Sequence, residues 1–201
     1  MTQKQYEAQN AKGYEGDNFI HLEIEKLIKD HGIEAIIETG TYRGATTKRL
    51  AEFELPVFTC EIMEESYNKS VENLKDEIYV WKTFKGDSIE FLKSQLADII
   101  SVSGGNILFF LDAHWQEHCP LLEELQLIAE YKLKPVIVIH DFKVPNKDFG
   151  YDSYKGQDFT FEWIEPSLKQ IYGDKLAYHY NQDAEGAKRG VIYIYEASSL
   201  V

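Results

Sequence analysis

The chain has 201 residues, 44% of them hydrophobic and 27% charged, a balance that suits one soluble domain with a full core. Its 34 acidic residues against 21 basic ones leave a formal charge of −13, a surface that repels nucleic acid and anionic membrane. No basic patch overrides this, because Lys143, Lys147 and Lys155 are spread among aspartates, and the two cysteines, Cys60 and Cys119, lack the spacing of a disulfide framework or a zinc site.

Residues 1–16 read as a polar, mobile lead-in. Asp17 or Asn18 caps a helix that runs to His31, with Phe19, Leu22, Leu27 and Ile28 on its apolar face and Gly32 to end it. Residues 33–38 are almost continuously apolar, as a strand buried on both faces should be. A helix over 46–54 follows, then a strand over 57–60 closed by Glu61, a charged helix over 64–75 and a strand over 78–84. Gly86-Asp87-Ser88 turns the chain into a helix carrying Ile89, Leu92 and Leu96. Residues 106–111 form the strongest strand signal, followed by Asp112. Pro120 suits the first turn of a helix containing Leu121, Leu122, Leu125 and Ile128. Residues 135–139 are a fifth strand, ending in His140-Asp141. Residues 142–158 read as a loop, long enough to expect a functional role. A helix over 166–172 precedes two alternating runs, 176–180 and 191–196, that read as an antiparallel pair. No repeat or linker interrupts the chain, so 1–201 is read as a single domain.

This alternation predicts an α/β fold: a Rossmann-like open sheet with helices on both faces, mostly parallel, with a C-terminal antiparallel hairpin. Ligands of such sheets bind outside the carboxyl ends of the strands. The first strand ends in Glu38-Thr39-Gly40-Thr41-Tyr42-Arg43-Gly44, an acidic residue and a glycine-bearing turn into a helix. A pyrophosphate turn needs G-x-G-x-x-G, and Tyr42 stands where its second glycine would be. Glu38 would repel phosphate and welcome a cation. S-adenosylmethionine carries two positive centres, a sulfonium and an ammonium.

From about residue 32 to 196, the chain resembles the class I S-adenosylmethionine-dependent methyltransferases. Glu38-x-Gly40-x-x-x-Gly44 is similar to their first motif, and the resemblance implies a cofactor site made by Glu38, Thr39, Gly40, Thr41, Tyr42, Gly44 and Thr46. It assigns Glu61 to the ribose hydroxyls and Asp87 with Ser88 to the adenine. It places the strand end Leu111-Asp112-Ala113-His114-Trp115 beside the transferred methyl group. The closer likeness is to small-molecule O-methyltransferases of the catechol and macrolide or aminocoumarin sugar type. Those enzymes hold magnesium with an aspartate after strand four and an acidic pair after strand five. Asp112 and Asp141 match those positions as metal ligands, whereas His114 and His140 depart from the pattern. A softer divalent cation, or no metal, is equally admissible, because Mg²⁺ prefers oxygen ligands.

Asp112, His114, His140 and Asp141 are the candidate catalytic group, with either histidine as base and either aspartate orienting it or holding a cation. Asp141 is preferred to Asp148, Asp152 and Asp158 because it alone sits at a strand end. Asp87 also reads as a plain helix cap. His118 with Cys119 lacks a second ligand pair and reads as structural. Tyr151 and Tyr154 either line an acceptor pocket or are exposed loop aromatics. Arg43 either faces solvent, pairs with a carboxylate or meets an acidic acceptor.

The expected activity is methyl transfer to a hydroxyl of a small polar molecule, such as a sugar or other metabolite. The alternatives are a cephalosporin-hydroxylase-like protein or a non-catalytic nucleoside binder of the same fold. The expected partners are a small-molecule acceptor, with no nucleic acid and no membrane, and a homodimer is admissible. With no apolar signal core and no apolar run long enough to cross a bilayer, the cytoplasm is the expected location. The 142–158 loop is expected to be mobile and to fold over the acceptor.

Overall fold

A computed structural model describes residues 12–114 and 119–197; Trp115 and His118 lie outside the described residues, as do residues 1–11 of the expected lead-in. Helix α1, Asn18–His31, is bounded by its own residues: the Asp17 side chain accepts the Phe19 N–H, and Gly32 closes it in a left-handed conformation. Its buried face is Ile20, Ile24 and Leu27, at helical spacing, while Phe19 and Leu22 are exposed, contrary to expectation. The first strand, β1, is Ala35–Thr39. It begins two residues later than its apolar run because the Ile33 N–H bonds back to Ile28, finishing the helix.

The next units follow in alternation. They are α2 Ala45–Ala51, β2 Val57–Glu61, α3 Glu64–Leu74, β3 Val80–Lys85, α4 Ser88–Ser103, β4 Ile107–Leu111, α5 Leu121–Glu130 and β5 Val136–Ile139. The expected loop contains a small hairpin, β6 Ser153–Tyr154 with β7 Gln157–Asp158, and it is anchored by buried Phe142 and Val144. Helix α6, Phe161–Tyr172, starts five residues before the expected position, with Pro166 inside it. Burial of Ile164 and the packing of Phe161 and Trp163 on the core carry the helix back past that proline. The chain ends with β8 Leu176–Tyr180 and β9 Ile192–Glu196.

The seven-stranded sheet has the order β3-β2-β1-β4-β5-β9-β8. Strands β1 to β5 are parallel, and β9 runs antiparallel to both β5 and β8. Alternate side chains feed two cores. Ile36, Val57, Leu108, Phe110 and Val138 pack with α1 and Leu50, while Ile37, Phe58, Phe109 and Ile137 pack with α4, α5 and α6. Chain order reverses between β1 and β4, which are paired up to Thr39 and Leu111. Connections leaving these neighbours in opposite directions open a crevice at their carboxyl ends.

Residues 14–16 correct the expectation of a mobile lead-in. Tyr14–Gly16 is a 3-10 turn, and Tyr14 is buried with its ring 5.6 Å from that of Phe110. An aromatic ring with an apolar slot on the sheet beside it is held there by burial.

Candidate active site

A cavity of about 380 Å³ lies in the crevice. At its β1–β2 end the lining includes Gly40, Thr41, Tyr42, Thr46 and Glu61, with Asp87 and Ser88 contributed by the turn into α4. At its β4–β5 end it is lined by Asp112, His114, His140 and Asp141. The structure therefore gathers all four candidate catalytic residues and most of the candidate cofactor residues around one space.

Three expected cofactor residues do not reach it: Glu38, Thr39 and Gly44. Glu38 is fully buried, and its Oε2 accepts hydrogen bonds from Thr47 Oγ1 at 2.5 Å and Thr59 Oγ1 at 2.6 Å. It holds the turn from behind and does not face a ligand cation directly. Burial pushes its carboxyl up to about 7, against the hydrogen bonds of Thr47 and Thr59. Thr39 is likewise buried behind the rim. Gly44, at φ 84°, packs on α3, where an added Cβ would lie 2.9 Å from Leu74.

Gly40 has a different reason to be glycine. At φ 93° an added Cβ would meet the Asp112 carbonyl oxygen at 2.4 Å, so the ends of β1 and β4 close on each other only without a side chain. Glu61 ties two turns together: Oε2 accepts the Tyr42 N–H and Oε1 the Met63 N–H, each at 2.7 Å. Burial raises its carboxyl above the usual range. Thr46 Oγ1 accepts the Tyr14 N–H at 3.0 Å. Asp87 accepts the Ile89 N–H and so caps α4 while also lining the cavity.

At the other end the groups are ionic and come from far apart in the chain. His114 Nε2 lies 3.1 Å from Asp141 Oδ2 and 3.5 Å from both Asp112 and Asp152. Its ring packs edge-on against Phe159, with centroids 5.0 Å apart. His140 Nδ1 is 3.3 Å from Asp141 and 3.6 Å from Asp112, and neither of its ring nitrogens has a hydrogen-bond partner among the described residues. Asp141 adopts a left-handed φ of 59°, a strained position that turns its carboxylate into this group. Arg189 binds Asp141 through Nε and Asp152 through Nη2, and its Nε is 3.9 Å from Glu15.

Burial alone would lower both imidazoles, but the carboxylates prevail. Asp141 and Asp112 hold His140 well above its usual value, and the Asp141 hydrogen bond with the Asp112 charge raises His114. Asp141 is held well below the carboxylate range by His140, His114 and Arg189, against its own burial. Protonated imidazoles donate rather than accept, so the expected base would first have to lose a proton.

Two sets of groups have donor atoms within 4.8 Å of one another: Asp112, His114 and Asp141, and Glu15, His140 and Asp141. The mixed nitrogen and oxygen donors, with the orphaned His140 nitrogens among them, fit a borderline divalent ion better than Mg²⁺.

Glu15 and Arg189, which the sequence reading did not single out, join this group, and so does Asp152, to which it preferred Asp141. Glu15 lies in the presumed lead-in, Asp152 in the loop and Arg189 in the polar turn before β9, with no local pattern to mark them. Tyr154 lines the cavity. Tyr151 does not: its ring lies 4.8 Å from the Lys143 ammonium. Arg43 is also outside the cavity lining, with its guanidinium 5.1 Å from the Tyr42 ring. Glu124 of α5 is another missed carboxylate, wholly buried and pushed up to about 7 by that burial. Both cysteines are free; Cys60 is buried and lines the cavity, and burial pushes Cys119 up to about 11.

No protein-family model matches the chain, and no curated protein matches it. Solved structures do. The O-methyltransferase from Bacillus cereus in complex with SAH aligns with a TM-score of 0.63 at 16% identity, over 98% of this chain and 92% of that one. The O-methyltransferase TomG from Streptomyces achromogenes, in complex with SAM, aligns with a TM-score of 0.60 at 14% identity, over 89% and 79%. This chain shares their fold. In this chain the antiparallel β9 lies beside β5, as the sequence led us to expect of the terminal pair. Among the described residues no helix is long and apolar enough to cross a membrane.

Proposed function

We propose that this protein transfers a methyl group from S-adenosylmethionine to a hydroxyl of a small polar molecule. The observation that carries the reading is the single cavity running from the Gly40 turn and Glu61 to the His114, His140 and Asp141 group. Its first end has the parts a nucleoside needs: a side-chain-free turn at Gly40, a carboxylate at Glu61 and a capped helix start at Asp87. In this reading Gly40, Thr41, Tyr42 and Thr46 face the methionine part, Glu61 the ribose, and Asp87 and Ser88 the adenine. When bound, S-adenosylmethionine supplies an electrophilic methyl group on a sulfonium.

The chain's own contribution is positioning, worth up to roughly 7–11 kcal/mol in ideal cases, and control of the hydroxyl proton. Asp112, at the junction of the two ends, orients the acceptor. His114 and His140 are the groups placed to handle its proton, held in orientation by Asp141. A divalent cation, if used, would be held by Asp112 and Asp141 with an imidazole beside them. It would displace the imidazole protons and polarise the acceptor oxygen.

Isothermal titration calorimetry with S-adenosylmethionine, followed by a labelled-methyl transfer screen over polar metabolites, tests the reading. Micromolar binding and methyl transfer to oxygen are expected; failure to bind the nucleoside would overturn it. Repeating both assays with chelator, then with Mn²⁺, Zn²⁺ or Mg²⁺ restored, tests the cation.

A further inference from the structure

The cavity's charge extends this reading to the acceptor, and the inference rests on that reading. Among the described residues that line the cavity, six are carboxylates and none is a lysine or arginine. Four of the six, Glu15, Asp112, Asp141 and Asp152, stand at the β4–β5 end. Arg189 backs them with one positive charge, spent on Asp141, Asp152 and Glu15. The formal sum there is −4 + 1 = −3. Protonating both imidazoles brings it to −1, and a divalent ion beside neutral imidazoles brings it to the same −1. With the four carboxylates ionised, the excess stays negative in both states.

Clustered carboxylates alone mark no ligand, but a second feature here points to one. His140 is 2% exposed and lines the cavity; its Nδ1 faces Asp141 and Asp112, but its Nε2 has no hydrogen-bond partner among the described residues. A buried polar group left in that condition is costly until something completes it. A polar acceptor entering this end would meet His140 and the surrounding carboxylates together.

We propose that the acceptor carries an ammonium group beside the hydroxyl that is methylated, and that the site rejects phosphorylated and carboxylated acceptors. The ammonium lies among Glu15, Asp112 and Asp152, each of which borders the cavity. An anion there would face the same four carboxylates, whose charge the lining imidazoles and Arg189 offset only in part.

The experiment uses two charge-matched sets of probes on protein saturated with S-adenosylhomocysteine: tyramine, 4-ethylphenol and 4-hydroxyphenylacetate, and glucosamine, glucose and glucuronate. Calorimetry reads binding, and mass spectrometry with labelled S-adenosylmethionine reads transfer. In at least one set the ammonium member is expected to bind at least tenfold tighter than the neutral one, with the carboxylate member weakest. Glu15→Gln and Asp152→Asn are each expected to narrow the gap between ammonium and neutral members. A carboxylate member that binds as well as its ammonium counterpart overturns the proposal, and so does a failure of both ammonium members to bind. Those results with nucleoside binding intact sink only this inference; loss of nucleoside binding itself sinks the methyltransferase reading.

Discussion

At the β1–β2 end of the cavity, side chains serve the backbone: Glu61 holds the Met63 amide two residues on and that of Tyr42 19 residues back, and Asp87 holds that of Ile89. At the β4–β5 end, side chains serve one another across long stretches. His114 meets Asp141 27 residues on, and Arg189 reaches back 37 residues to Asp152 and 48 to Asp141. The first arrangement fixes the backbone of the turns after β1 and β2, which are neighbours as soon as those two strands pair. The second exists only once β5, the loop and the turn before β9 have docked. In the proposed function the cofactor would lie against the first and the acceptor against the second.

The strongest way to break this contrast is at Gly40, where the two ends touch. Gly40→Val is expected to cost about 3 kcal/mol or more of stability and to abolish nucleoside binding, read by denaturant unfolding and calorimetry. A variant that folds and binds normally would mean the turn is not the shared wall. Next comes Arg189→Ala, which releases Asp141, Asp152 and Glu15 together. Turnover is expected to fall about 100-fold, with a much smaller change in nucleoside affinity. Arg189→Lys should recover only part of it, since an ammonium lacks the planar fork that spans two carboxylates. Equal losses in both quantities would erase the distinction between the ends.

A third test concerns the buried support behind the turn. The Glu38 carboxyl is raised from 4.5 to about 7 in the folded protein, so the folded state holds its proton more tightly than the unfolded chain. Its contribution to stability is full below about pH 4.5 and is lost as the pH rises through about 7. Glu38→Gln should remove about 3 kcal/mol of that pH dependence, measured by unfolding between pH 4.5 and 8. Glu124→Gln should behave likewise, having the same direction and cause. An unchanged profile in both variants would show these carboxyls to be ordinary. A smaller effect is expected of Glu61→Gln, which keeps the shape but loses a charged acceptor; nucleoside affinity should drop about tenfold. The smallest belongs to Tyr151→Ala, outside the cavity and 38% exposed, with less than about 0.5 kcal/mol on either stability or binding.

The same contrast explains which parts of the molecule were legible in the sequence. Capped helices and continuous apolar strands announce themselves locally, so α1, β2, β4 and the terminal strand pair fall where periodicity and caps put them. The errors occur where a neighbour overrules a local signal. Pro166 reads as a helix start, yet the helix begins at Phe161 because the core takes Ile164. Ile33 reads as strand, yet its amide finishes α1. Glu38 reads as a ligand-facing acid, but Thr47 and Thr59 offer hydroxyls at the back of the turn and claim it.

By itself the sequence determined the α/β alternation, the strand-end positions where a ligand would sit, and the four titratable residues after β4 and β5. These follow from backbone periodicity and turn chemistry, which act over a few residues. Tertiary structure alone decided that Glu15, Asp152 and Arg189 join that group, and that Glu38 supports the rim from behind. Charge pairing and burial depend on distance in space, and segments far apart in the chain acquire those distances only when the sheet and its loops have packed.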